Sequence, residues 1–502
     1  MSQPLILLTG ATGFLGSWIL ERLLRSSRCV AVLARGDNRG DACQRIETVL
    51  EPFEDKRLLP RPRVIDGDLH LPDCGIRSED SSWLGNREID VIHCAASIRF
   101  VEDAGGEPYR TNVAGTQNLL SLCARCHVRD FHHVSTAYVG ARQTPPVFET
   151  PVQDTTRGEN DYERSKVQAE QLVQEFSDLG GRKIFHRPSI VVGDSRTFRT
   201  TTYHGFYAPL QIGATLARAH GFSKGLGEWF RSQLGLGELD RKNLVPVDWV
   251  ADQISNAVLR EHVPSGIYHW THPEPTPAIV MQNAITDAIE EYLSNQVEIP
   301  KELGPSREFK DAGGLIAKER APEISAAFRE QMSVYESYFN GDPEFDRTQA
   351  EGISTRCSKL DYAILKKMCW HALDANFGWP RPPLVPPPDH SRQLPSLGCS
   401  VNGNSATFTG QHFGVSLLGK YSPPPFFLRN DGTRWVSTSR AAEDCGWYVK
   451  LPLDALTGRI KGANDTRHLF EQGNAIALGE LPSNWLAIFD AWIQDVIAQS
   501  SS

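Results

Sequence analysis

Residues 9–16, TGATGFLG, restrict this chain more than any other stretch of it. They follow the apolar run 5–9 and precede an amphipathic run, 15–24, so the backbone has to pass from strand to helix through a turn built on glycine. Gly10 permits the tight turn, Gly13 lets a ligand approach the backbone, and Gly16 lets the helix pack closely on the sheet. A helix N-terminus presents unpaired N–H groups and the positive end of the helix dipole, which suits a pyrophosphate. Thr9, Gly10, Thr12, Gly13, Phe14, Leu15 and Gly16 are therefore expected to line a dinucleotide.

The same alternation continues through the first three hundred residues. Strands are expected at 5–9, 29–34, 63–66, 91–94, 130–135 and 183–190, and helices at 15–24, 111–123 and 162–176. Apolar β-rich runs alternating with amphipathic ones build βαβ units, so the fold class is α/β, a Rossmann-type doubly wound parallel sheet. Residues 194–243, rich in glycine and aromatics, and 273–346, helical and charged, read as a mainly helical substrate subdomain. Seven prolines between 379 and 395 exclude regular helix and central strand and mark an extended linker. With 502 residues, more than one core is expected. The organisation predicted is 1–350 for the dinucleotide-binding domain, 351–396 for a helical extension and linker, and 397–502 for a separate small α+β domain. That last part carries strand-like runs at 406–408 and 447–451 and a terminal helix at 485–497.

A formal charge of −9 without a basic stripe argues against nucleic acid as a partner. No stretch approaches eighteen apolar residues and the N-terminus lacks a signal pattern, so a cytoplasmic protein without a transmembrane segment is expected, with peripheral membrane contact left open. Ten cysteines in such a chain suit buried reduced thiols. Cys123, Cys126 and His127 have the spacing of a c-type haem attachment site, but they close an apolar helical run, and neither haem nor metal is expected.

The second strand ends Val32-Leu33-Ala34-Arg35. A guanidinium at that point suits the 2′-phosphate of NADPH, with Arg39 or Arg45 assisting, while Asp37 keeps NADH open. Asp68 follows the third strand and suits either the adenine amino group or a helix cap. Tyr162 and Lys166 stand one helical turn apart, so both heads reach one place. A free tyrosine titrates near pH 10, and a neighbouring ammonium stabilises its phenolate. Thr136, with Ser135 as the alternative, ends the fifth expected strand and offers a hydroxyl to a carbonyl oxygen. Asn112 either holds a water that relays protons to Lys166 or merely bends its helix.

These motifs resemble, in order, the extended short-chain dehydrogenase/reductase superfamily: TGATGFLG, GDL at Gly67, HCAAS at His93, NVAGT at Asn112, STAY at Ser135, YERSK at Tyr162 and RPSIVVG at Arg187. Within it, Leu33-Ala34-Arg35, RPSIVVGDS, VPVDWVAD at Val245 and YESYFNGDPEFDRT at Tyr335 are most similar to the thioester reductase and fatty acyl-CoA reductase branch, the male-sterility type of NAD-binding domain, over about residues 1–350. The resemblance adds Leu69, Ala95, Ala96, Pro188 and Ile190 to the cofactor side, and Ser97, Ala137, His204, Phe206 and Tyr207 to the substrate side, with an aromatic core as the other reading of the last three. It implies NADPH-dependent reduction of an acyl thioester, on coenzyme A or an acyl or peptidyl carrier protein, to aldehyde or alcohol. A hydroxysteroid-type dehydrogenase, or a nucleotide-sugar epimerase or dehydratase, would use the same Tyr, Lys and Thr. Homo-oligomers occur in the superfamily. Residues 451–481 resemble a sterol-carrier-like lipid-binding module through Phe470, Gly473 and Gly479, with a packing or dimerisation domain as the alternative.

Overall fold

A computed structural model describes residues 4–26, 28–38, 40–53, 59–140, 145–154, 158–220, 237, 240–296, 328, 330, 332, 341–378, 399–400, 411–418, 426–430, 434–437, 447–452, 455–456, 466–471, 475–479 and 482–500. The chain divides into two units. One comprises Met1–Leu23, Arg28–Arg35 and Val64–Pro382; the other comprises Leu24–Ser27, Gly36–Arg63 and Pro383–Ser502.

In the first unit β1 (Leu5–Thr9) and β2 (Val30–Ala34) are buried at every residue. Unbroken apolar strands of this kind need cover on both faces, as in a parallel sheet. α1 (Phe14–Arg25) joins them, and α2 (Ala42–Leu50), which belongs to the second unit, precedes β3 (Arg63–Asp66). Then come α3 (Ser78–Gly85), β4 (Glu88–His93), α4 (Gly115–Cys123), β5 (His127–Val134), α5 (Asp161–Glu175) and β6 (Arg182–Pro188). Next are β7 (Ile190–Val192), α6 (Tyr207–His220), β8 (Arg241–Lys242), β9 (Leu244–Pro246), β10 (Gly266–Trp270) and β11 (Thr276–Pro277).

Seven strands form one sheet in the order β10-β6-β5-β4-β1-β2-β3, and the direction of winding reverses between β1 and β4. The fold is the expected doubly wound one. The expected strand 183–190 proves to be two. β6 ends at Pro188 and pairs within the main sheet, whereas β7 leaves it to pair with β9, because the Ser189 amide bonds the Trp270 carbonyl and the next amide, Ile190, turns to that of Asn243. The helix expected from residue 111 opens as a wide π turn, Arg110–Ala114, before α4. Helices Ala278–Gln296 and Tyr362–Asp374 pack with α6 around Leu210, Ile285, Ile289, Leu365 and Met368, a second core beside that of the sheet.

The second unit contains a six-stranded sheet, β12 (Cys399–Ser400), β13 (His412–Leu418), β14 (Phe426–Asn430), β15 (Arg434–Ser437), β16 (Trp447–Pro452) and β17 (Ile476–Gly479), ordered β12-β15-β14-β13-β16-β17. Its central pair, β13 and β16, is parallel and the other neighbours are antiparallel. Phe413 stacks on Trp447 at 4.9 Å, and helix Trp485–Ser500 sets Ile488, Phe489, Trp492 and Ile493 into that core. Glu47 of α2 meets Lys450 of β16 at 3.6 Å. The linker 379–395, the run 406–408 and Gly473 lie outside the described residues.

Candidate active site

The C-terminal ends of β1, β4 and β5 come together where the strand order reverses, the place in an open α/β sheet that receives ligands. β1 runs into Gly10 at φ +75°, a left-handed conformation that side chains resist. A Cβ on Gly10 would lie 2.5 Å from the Ala95 nitrogen, and one on Gly16 2.0 Å from the Gly10 oxygen. Packing therefore requires both glycines. Gly13 is different, since it is exposed and its Cβ would meet only the Gly10 oxygen, at 3.2 Å. α1 starts at the next residue, and its first amides have no intrahelical acceptor. The turn thus presents an open cradle with a helix N-terminus behind it, which fits a dinucleotide pyrophosphate.

A hydrogen-bond chain ties this turn to α4. Thr9 Oγ1 is 2.8 Å from His93 Nδ1, His93 Nε2 is 2.9 Å from Thr116 Oγ1, and the Thr116 hydroxyl donates to the Asn112 carbonyl at 2.6 Å. Because Thr116 spends its proton on Asn112, it accepts from His93 Nε2–H, and Nδ1 accepts from Thr9. Burial, assisted by the Lys166 charge, pushes His93 down to about 3, so the ring is the neutral Nε2–H tautomer that this chain demands.

α5 is capped by the Asn160 side chain, which accepts from the Glu163 amide at 3.0 Å. Its first turns carry Tyr162 and Lys166. Lys166 is buried and its Nζ donates to the Val134 carbonyl, at the end of β5, at 2.6 Å. Burial pushes this ammonium down to about 8, against the opposing pull of Cys94 and Glu170. Burial first, then the charges of Glu163 and Cys94, raise the Tyr162 phenol above its ordinary value, and the Thr136 side chain works the other way. Ser135 Oγ is buried with no protein partner among the described residues. Phe100 sets its ring edge against Tyr162 at 6.1 Å, and the Asp161 carboxylate holds that loop by accepting from the Glu102 amide (2.9 Å) and the Tyr109 hydroxyl (3.1 Å).

Several expected site residues take other places. Thr9 is buried with its hydroxyl on His93, so it supports the turn from beneath. Leu69 is part of the sheet core. The Asn112 side-chain amide accepts from the Ser97 nitrogen (2.7 Å) and donates to the Ser97 oxygen and to Ser165 Oγ (both 2.9 Å), clamping the β4 exit to α5. Ala137 is fully buried against Val147 and Phe345. Phe206 and Tyr207 belong to the second core, with Tyr207 Oη accepting from the Gly193 amide at 3.0 Å, while His204 is exposed.

Ala95 backs Gly10, Ala96 is exposed beside it, and Ser97 is half-buried. Pro188 is buried at the end of β6, and Ile190 packs on the second core. Arg35 follows β2 and pairs with Asp68 at 3.0 Å. Burial raises the Asp68 carboxyl, but the His70 amide and Arg35 outweigh it and hold it below the usual range. Arg45, in the second unit, pairs with Asp37 at 3.4 Å, and Arg39 lies outside the described residues. Of the described cysteines, Cys29 and Cys43 are exposed rather than buried. Among the described residues no helix is long and apolar enough to cross a membrane. Sequence reasoning missed Phe100 and Asp161, whose pairing crosses sixty residues and leaves no local pattern. His93 was legible as the head of the HCAAS motif, without a role assigned to its ring.

Residues 8–254 match the model of the Male sterility protein family. Fatty acyl-CoA reductase 2 of Bos taurus is 35% identical over 144 residues, 26% of this chain and 28% of that protein. The L-2-aminoadipate reductase large subunit of Penicillium chrysogenum is 32% identical over 225 residues, 40% of this chain and 16% of that one. These matches thus span less than a third of the length of either relative. The terminal R domain from the myxalamid PKS-NRPS pathway superimposes with a TM-score of 0.54 over 76% of this chain and 93% of that one, at 23% identity, a likeness of fold.

Proposed function

We propose, on the premise that residues 8–254 belong to the Male sterility protein family of NAD-binding domains, that this chain is an NADPH-dependent reductase of acyl thioesters carried on coenzyme A or a carrier protein. The reading is supported by buried Lys166 bonding the Val134 carbonyl two residues before Thr136, by Tyr162 one turn before Lys166 on α5, and by the open glycine cradle.

The cradle at Gly13 and the start of α1 would hold the pyrophosphate, Arg35 the 2′-phosphate, and Lys166 the nicotinamide ribose. When bound, the reduced nicotinamide supplies a hydride to the thioester carbonyl carbon. Tyr162 and Thr136 donate hydrogen bonds to the carbonyl oxygen as it gains negative charge. Tyr162 then passes its proton to that oxygen, giving a thiohemiacetal that releases thiol and aldehyde. A phenol held above its ordinary value is protonated at neutral pH, the state that a reductive proton donor needs. Lys166, one turn away, remains a cation there and stabilises the phenolate left behind.

The test follows NADPH oxidation with acyl-CoAs of increasing chain length and with a carrier-bound acyl group, with product analysis. Aldehyde or alcohol formed at the rate of oxidation is the expected result. Bound but unconsumed NADPH across the whole panel overturns the proposal.

A further inference from the structure

The mechanism above leaves unused a buried carboxylate, Asp342, which bonds a residue 204 positions away in sequence. We propose that Asp342 is a positioning residue that fixes Thr136 by tying down both backbone segments beside it, an inference that rests on the catalytic reading just given.

Asp342 and Lys242 form an ion pair at 2.7 Å with side chains only 3% and 5% exposed. The other carboxylate oxygen accepts from the Tyr138 hydroxyl at 2.7 Å and from the Asn243 amide at 2.6 Å. From these two contacts two arms run to Thr136. Through the first, Tyr138 places its own amide 3.4 Å from Thr136 Oγ1. Through the second, the Asn243 side chain accepts from Ser189 Oγ at 2.7 Å and the Asn243 carbonyl accepts from the Ile190 amide at 3.1 Å. Those two residues follow Pro188, whose carbonyl lies 3.5 Å from Thr136 Oγ1. The hydroxyl therefore sits between two segments anchored on one carboxylate.

Both contacts to Thr136 Oγ1 are long, so neither binds the hydroxyl firmly. Its position comes from the backbone, which leaves its proton available to a substrate oxygen. A charged anchor suits this role, because three donors converge on Asp342 out of water, where hydrogen bonds to an ionised group are strong. If the anchor is loosened, Thr136 drifts, and a misplacement of about 1 Å at a reacting centre costs about 100-fold in rate.

The test uses the full chain with Tyr138→Phe, which removes one hydroxyl and leaves the ion pair intact, alongside Asp342→Asn, Thr136→Ala and the double variant Thr136→Ala/Tyr138→Phe. Amide hydrogen exchange followed by mass spectrometry reports on the clamp without any turnover. In Tyr138→Phe, and again in Asp342→Asn, peptides covering residues 135–140 should exchange about tenfold faster, with β1 and α1 unchanged. For NADPH-dependent reduction of an acyl-CoA or free aldehyde, kcat should fall about tenfold in Tyr138→Phe with KM for NADPH unchanged. In the Thr136→Ala background the same change should cost nothing further. Unchanged exchange at 135–140 overturns the proposal, as does an equal loss in both backgrounds, which would mean that the tie does not act through Thr136. If the wild-type chain reduces neither substrate, the functional reading fails, and exchange alone decides the clamp.

Discussion

Alanine placed at two glycines of the same turn should separate what holds the fold from what holds the cofactor. At Gly16 the new Cβ would fall 2.0 Å from the Gly10 oxygen, about 1.4 Å short of the 3.4 Å at which ordinary contact begins, and both neighbours are backbone. The start of α1 would have to move away from β1, an overpacking that costs about 3 kcal/mol. At about 2 °C per kcal/mol for a large domain, the melting midpoint should fall by about 6 °C. At Gly13 the only neighbour within reach is the Gly10 oxygen at 3.2 Å, which yields by a few tenths of an ångström, so stability should stay within about 0.5 kcal/mol. The methyl would instead stand in the cradle where the pyrophosphate approaches; a loss of about 2 kcal/mol corresponds to about 30-fold weaker NADPH binding. Thermal melts with and without NADPH measure both effects, because a ligand at about 100 times its Kd raises stability by about 2.7 kcal/mol. Gly13→Ala should melt like the wild type alone and lose most of the ligand-induced rise. If it keeps the full rise, the cradle does not hold the cofactor.

Three further outcomes follow from the site. Lys166 is protonated below about pH 8, so kcat/KM for reduction should decline as pH rises through that value; Lys166→Arg should remove this limb at a lower absolute rate, and a limb surviving there belongs to another group. Arg35→Ala should raise KM for NADPH roughly 10- to 100-fold and leave NADH unaffected, a contrast read from initial rates with each cofactor. Arg187 is fully buried and bonds both oxygens of Glu170, at 2.9 and 2.6 Å; Glu170→Gln should destabilise the chain by about 3–5 kcal/mol, measured by urea unfolding.

The parts of the site legible in the sequence are those built by neighbours along the chain. The apolar run of β1, the glycine turn and the one-turn spacing of Tyr162 and Lys166 are local, and local patterns survive in a string of letters. Thr136 was readable because a hydroxyl after a strand end has few places to go. What tertiary structure assembles was not readable. The capture of the Asn112 amide by Ser97 and Ser165, and the convergence of Tyr138, Lys242 and Asn243 on Asp342, join segments far apart in sequence. Phe206 and Tyr207 were ambiguous for a physical reason: aromatic residues flanked by glycine line pockets and fill cores alike, and only packing against Leu210 and Ile285 decides for the core. The division at Ser189 was hidden because Pro188 and Ile190 both suit a strand, and the change of sheet depends on the carbonyls of Trp270 and Asn243.

The second unit takes in residues 36–63 together with 383–502, so the connection from β2 to β3 is an excursion out of the first unit and back. Such a chain matures out of order. On the ribosome Glu47 emerges roughly four hundred residues before Lys450, and the excursion waits that long before its own sheet exists to receive it. An expression length chosen by stopping at the proline-rich stretch would keep every residue of the glycine turn and of the Tyr–Lys pair. It would also strand the crossover between two strands of the main sheet without the larger part of the unit it belongs to.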